Sequence, residues 1–335
     1  MLTALVVRER TNLDDVVVVP RQAEAINDGD VGLVRGQRLT VRQLLQIMLI
    51  PSANDAAMAL AIHVGGTEAG FVDMMNAKAK ALGLKHTRAA DPDGLNKKEI
   101  CTAEDLTVLA RDVMADPVLR QIVGMRSVVV PHPRNKSTVH ASTNLLLGHY
   151  AGMEGTKTGF TNPAGYCFVG SAKRGGVELL GVVLGATSNA GRFSEMRKLL
   201  DWGFAHTHMR LLISADTTLG MLPVVNGVET SVAVCTTHSV SAAVYDSGSA
   251  VTTSLTVPAS VLATVSAGQP LGVVAAYKDG AMVATAAVVA ARDVPAVSVP
   301  VTSTLSAQVG AGTLRAIWEP EAAGTLGVWA AWALR

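Results

Sequence analysis

Apolar positions in the first two hundred residues recur mainly at three- and four-residue intervals, and after that in short alternating runs. Met1 to Val7 is an apolar, helix-forming run with no capping residue ahead of it. Val16–Val19, closed by Pro20, predicts a strand. Thr40 suits the N-cap of a helix with Val41, Leu44, Leu45, Met48 and Leu49 on one face and Pro51 as its end. A second helix is predicted from Asn54-Asp55 to Gly65-Gly66. Thr67 opens a third, with Phe71, Met74, Met75 and Leu82 on one face and Gly83 as its stop. Thr102-Ala103-Glu104-Asp105 reads as a capping box, with Asp for Glu, leading Leu106, Leu109, Ala110 and Val113.

After Gly165 the period shortens to two. Tyr166–Lys173 and Val177–Ala186 predict two strands joined by a hairpin at Arg174-Gly175-Gly176, and Ser194 is placed to cap a helix through Met196, Leu199, Leu200 and Trp202. Beyond about Arg210 the helical pattern is lost. Val/Thr/Ala-rich segments follow at Ser231–Thr237, Ser254–Val257, Leu271–Tyr277, Met282–Ala291 and Thr313–Trp318. Lys278-Asp279-Gly280 reads as a tight turn, and Pro258, Pro270 and Pro295 fall at strand edges or turns. The pattern predicts a mixed domain over residues 1–208 and a β-rich domain over 209–335.

Composition narrows the function classes. With 49% hydrophobic and 16% charged residues in 335, burial can offset chain entropy and the chain folds. A net charge of +1 and the lack of a Lys/Arg stripe exclude a nucleic-acid partner. Cys101, Cys167 and Cys235 stand too far apart for a metal motif and read as small buried thiols. His63, His86, His132, His140 and His149 have no metal-like spacing, so neither metal nor cofactor is expected. No export signal is visible, and Leu326–Leu334 is too short to span a bilayer. Trp318, Trp329 and Trp332 suit either weak attachment to a membrane surface or packing on their own domain.

Two short motifs carry chemistry. In Ser52-Ala53-Asn54, between two predicted helices, the hydroxyl can relay a proton and the carboxamide can hold a substrate carbonyl. The bland alternative is that Asn54 caps a helix. In Lys157-Thr158-Gly159 the ammonium suits an anionic group and the glycine allows close approach to the backbone; the alternative is an exposed lysine beside a turn.

These motifs, in this order, resemble the serine-type D-alanyl-D-alanine carboxypeptidases, the low-molecular-weight penicillin-binding proteins. Leu39–Leu45, Pro51–Ala57, Asp91–Leu95, Thr102–Leu106, Asn144–Leu146, Ala164–Cys167 and Leu200–Phe204 extend the likeness over residues 1 to about 206. The resemblance implies an α/β (α+β) penicillin-binding and serine β-lactamase-like transpeptidase fold, with a helical cluster and an antiparallel sheet, plus a small C-terminal all-β domain. It implies an extracytoplasmic hydrolase acting on peptidoglycan stem peptides through an acyl-enzyme, and β-lactams as covalent ligands. By similarity, Ser52, Asn54 and Lys157 are catalytic. Lys157, Thr158, Gly159, Phe160 and Arg192 bind substrate, with the Phe160 N–H as one oxyanion donor. Thr87–Ala90 departs from the family where an aromatic is usual.

In that family the nucleophile lies in Ser-x-x-Lys, followed by a run like Met1–Leu5. No serine of this sequence has a lysine three residues on. The motif is expected just before Met1, which makes the chain an N-terminally truncated one that is inactive as written. The alternative is a non-catalytic, peptidoglycan-binding or regulatory relative. A β-lactamase fits less well, because Ala53 stands where that class has Asp and a β-rich second domain is present.

Overall fold

A computed structural model describes residues 1–246, 250–278 and 280–298. The chain divides into two compact units. Among the described residues, the first comprises 1–213 with 240–253 and 275–284, and the second 214–239, 254–274 and 285–298. The expected strand Thr313–Trp318, the tryptophans Trp318, Trp329 and Trp332, Leu326–Leu334 and Asp279 of the expected turn lie outside the described residues.

The first unit opens with α1 (Leu2–Arg10), whose residues 2 to 7 are all buried, as befits a helix with other helices around it. β1 (Val16–Val18) and, after the single turn α2 (Arg21–Glu24), β2 (Arg38–Thr40) form a small antiparallel pair. α3 (Val41–Leu49) starts in a complete capping box. The Gln43 N–H donates to Thr40 Oγ1 at 3.2 Å, and the Thr40 N–H donates to Gln43 Oε1 at 2.8 Å. α4 (Asn54–Gly65) and α5 (Glu68–Ala81) follow as the pattern predicts, the latter capped by Thr67. Leu44, Leu45, Ile47, Leu60, Phe71 and Ile122 pack into the helical core.

α6 (Ala103–Ala115) departs from its expected cap. The Asp105 N–H bonds to Thr102 Oγ1, but the Asp105 carboxylate turns outward to the His86 N–H at 2.9 Å and the Thr87 hydroxyl at 2.8 Å. Asp is one methylene shorter than Glu, and here it anchors the preceding loop instead. α7 (Pro117–Val123) and the hairpin of β3 (Ser127–His132) and β4 (Lys136–Ala141) were not foreseen from the pattern. β4 is exposed along almost its whole length, which removes the apolar alternation that marks a strand.

β5 (Met153–Thr161), β6 (Gly165–Arg174) and β7 (Val177–Ala186) form an antiparallel sheet in that order. α8 (Asn189–His206) packs on β6 and β7. Its cap is Ser188, accepting from the Gly191 N–H at 3.0 Å; Ser194, the expected cap, lies inside the helix. Gly170 and Gly181 are cross-strand partners and together leave the notch that Met196 fills. A Cβ on either would come within 3.0 Å of its sulfur. Phe168 meets Phe193 edge to face, at 5.3 Å between centroids, in a second core with Leu146, Met196 and Leu200. β8 (Thr207–Ile213) completes the consecutive elements.

The remaining strands are β9 (Thr218–Val225), β10 (Ser231–Thr236), β11 (Val240–Tyr245), β12 (Val251–Thr256), β13 (Val261–Leu262), β14 (Pro270–Lys278) and β15 (Ala281–Ala290). β11 pairs with β8 in the first unit. In the second, β9 and β15 flank β10 antiparallel, and β13 joins β9 in parallel. A mixed helix-and-sheet region followed by an all-β region is the fold the sequence led us to expect.

Candidate active site

The Pro51–Ala53 link joins α3 to α4, and Ser52 in it adopts φ = +68°, a left-handed conformation that costs a non-glycine residue about 1 kcal/mol or more. That turn faces Lys157, on β5. Lys157 Nζ donates to Ser52 Oγ at 2.6 Å and to the Thr158 carbonyl at 2.8 Å. Burial, and then the nearby Arg192 guanidinium, lower the Lys157 ammonium from its usual 10.5 to about 8. A cavity of about 510 Å³ opens over these groups, with Ser52, Asn54, Lys157, Thr158, Gly159 and Phe160 in its lining.

Asn54 is the first residue of α4 and does not cap it. Its Nδ2 donates to the Asp28 carbonyl at 2.7 Å, while its own N–H donates to the Gly29 carbonyl at 2.8 Å. The neighbouring Asp55 carboxylate is buried and accepts from the Val31, Leu33 and Ala56 N–H groups at 3.1, 3.0 and 2.8 Å. Burial pushes its carboxyl above the usual range, and those three donors act against the rise. The turn around residues 28–33 is thereby stitched to the Ser52 link.

Arg192 is the residue that the resemblance assigns to substrate binding beside Lys157. It is buried on α8, and its Nη1 donates to the Gly159 carbonyl at 2.9 Å and the Cys167 carbonyl at 3.3 Å. It therefore stands behind the strand that carries Lys157, not in the cavity lining. Its Nε is buried with no partner among the described residues. The Phe160 ring is half exposed and packs at 4.3 Å between centroids on Tyr166, over which the Arg192 guanidinium lies.

Several supporting residues carried no sequence signal. Thr143 joins both walls: its N–H donates to the Ile50 carbonyl at 3.1 Å, and its hydroxyl accepts from that of Thr158 at 2.6 Å. Asp93 and Glu99 also line the cavity. Burial, and then Asp91, push the Asp93 carboxyl up to about 7, and the same two causes raise Glu99. Of the cysteines, Cys235 is buried as expected, whereas Cys101 is exposed and Cys167 half-buried, and both line the cavity. No three potential metal ligands cluster among the described residues.

Residues 1–188 match the family model for D-alanyl-D-alanine carboxypeptidase, more than half of the chain. The chain belongs to this family. Residues 208–296 match the C-terminal domain of penicillin-binding protein 5. Among curated D-alanyl-D-alanine carboxypeptidases, DacF of Bacillus subtilis is 28% identical over 301 residues, covering 88% of this chain and 77% of DacF. DacB2 of Mycobacterium tuberculosis is 37% identical over 211 residues, 61% of this chain and 72% of DacB2. The crystal structure of penicillin-binding protein 5 from Haemophilus influenzae superposes with a TM-score of 0.61 at 25% identity, covering 88% of this chain and 89% of that one. The carboxypeptidase family and its fold, both expected from the sequence, are borne out.

Proposed function

We propose that the cleft of this carboxypeptidase-family chain holds the D-Ala-D-Ala end of a peptidoglycan stem peptide in the cell envelope. Residues 1–208 do the binding, and the described residues from 209 onward are β-rich. The supporting observation is the Lys157 ammonium, held between Ser52 Oγ and the Thr158 carbonyl beside a cavity of about 510 Å³. In this reading Lys157 and Thr158 engage the peptide's terminal carboxylate, Gly159 lets the peptide lie against β5, and the Phe160 N–H faces the scissile carbonyl. Ser52 relays a proton, and Asn54 positions the peptide from the helical wall. Arg192 acts from behind, fixing the Gly159 carbonyl and adding positive charge.

Acyl transfer by this family's chemistry needs a serine with a lysine three residues on, and residues 1–335 contain none. The chain as written therefore binds peptide and β-lactam without forming a covalent adduct. Two measurements test this. A D-Ala-D-Ala-terminated peptide titrated calorimetrically binds the 335-residue chain and not Lys157→Ala. Intact mass after incubation with benzylpenicillin stays unchanged. An adduct, most directly one mapped to Ser52, overturns the non-acylating part, and absence of peptide binding overturns the assignment of the cleft.

A further inference from the structure

The β3–β4 hairpin holds a feature outside the cleft. His132 on β3 and His140 on β4 are eight residues apart in sequence, yet each presents Nε2 at 2.8 Å to a single oxygen, the Thr138 hydroxyl. The register brings them there. Val130 pairs with Thr138, His132 with Lys136 and Val128 with His140, so all six residues stand on one face of the ladder.

A hydroxyl has one proton to give. One imidazole takes it, and the other must donate its own Nε2–H to the oxygen. Two imidazole nitrogens therefore already converge on one point, at a spacing no greater than twice 2.8 Å. A tetrahedral late first-row cation, with metal–nitrogen distances of about 2.1 Å, needs its two nitrogens about 3.4 Å apart. Small χ rotations of two partly exposed rings, with the Thr138 hydroxyl turned aside, supply that. We propose that His132 and His140 form a chelating site for a borderline divalent cation of the Zn²⁺, Ni²⁺ or Cu²⁺ kind, with water completing its coordination.

The donor set fixes the class. Residues 127–141 contain no Asp or Glu, so nothing there favours Ca²⁺ or Mg²⁺, whereas imidazole suits the later transition ions. Lys136 stands opposite His132 and opposes any cation by charge repulsion. A bound ion would tie the turn end of β3, at His132, to the far end of β4, at His140. The strand it steadies leads within two residues to Thr143.

Calorimetric titration of the tag-free full chain with Ni²⁺ and Zn²⁺ tests the site. One equivalent is expected to bind, with affinity falling at least about tenfold in both His132→Ala and His140→Ala. Lys136→Ala is expected to tighten it, and His206→Ala, on α8, to leave it unchanged. Amide hydrogen exchange of residues 127–141 should slow on adding Ni²⁺ to the native chain and not to either histidine variant. Loss in only one histidine variant, or in neither, overturns the proposal.

Discussion

With Lys157 engaging the peptide carboxylate as proposed, the cleft's affinity for an anion should depend on pH. Burial and the Arg192 guanidinium bring its proton affinity to about 8. At pH 7 about nine-tenths of the molecules carry the charge, and at pH 9 about one-tenth do. A peptide carboxylate that needs the charged form should then bind about tenfold more weakly at pH 9 than at pH 7, a loss of about 1.4 kcal/mol. The sign for folding runs the other way. Between about 8 and 10.5 the unfolded chain keeps a proton that the folded chain has released, so stability rises with pH across that window. The full shift corresponds to about 3 kcal/mol, reduced to the extent that cavity water reaches the half-buried side chain. The assay is calorimetry of an N-acetylated D-Ala-D-Ala-terminated peptide from pH 6.5 to 9.5, on the native chain and on Lys157→Met. The native affinity should bend downward near pH 8, and the variant should bind weakly without the bend. A flat native profile, or a variant that keeps the bend, refutes the role of this ammonium.

Three further substitutions probe the frame around it. Asp55→Ala leaves the Val31 and Leu33 N–H groups without their acceptor and should cost about 2–4 kcal/mol, read as a lower midpoint in urea at unchanged slope. Gly152→Ala places a Cβ 2.2 Å from the Lys173 carbonyl at φ = +78°. It should cost at least about 2 kcal/mol by the same assay, and an unshifted midpoint would contradict the geometry. Thr143→Val removes the hydroxyl that meets Thr158 while keeping the shape. Peptide affinity should drop several-fold with thermal stability nearly unchanged, and Thr143→Ser should restore it.

Helices α3, α5 and α6 were legible because each begins at a capping threonine, Thr40, Thr67 and Thr102, and carries a recurring apolar face. The candidate-site motifs stood out for a different reason, since Ser52-Ala53-Asn54 and Lys157-Thr158-Gly159 each hold their polar groups in three consecutive residues, and the fold brings Ser52 and Lys157 together. What escaped was whatever depends on register or on a carboxylate's choice of partner. The β3–β4 hairpin has no apolar alternation on β4, so nothing marked it, and the meeting of His132 with His140 went unseen with it. Asp105 looked like half of a cap because its spacing was right, but a neighbouring loop offered it better donors. The burial of Arg192 carried no sequence signal, because one of the aromatic rings it lies over, Tyr166, comes from β6 while the other, Phe193, is its neighbour on α8.

The cleft lies where two separately packed hydrophobic clusters meet, one among the helices and one between the β5–β7 sheet and α8. The links named across it are hydrogen bonds, Lys157 to Ser52 and Thr143 to Ile50. Such bonds weaken when water competes for them and strengthen when it is displaced. An occupant that empties the cavity of water would therefore stiffen the walls that hold it, so that a filled cleft resists prying apart more than an open one. The protease sensitivity of the Ser52 link would then serve as a gauge of occupancy, with no need for any chemical turnover.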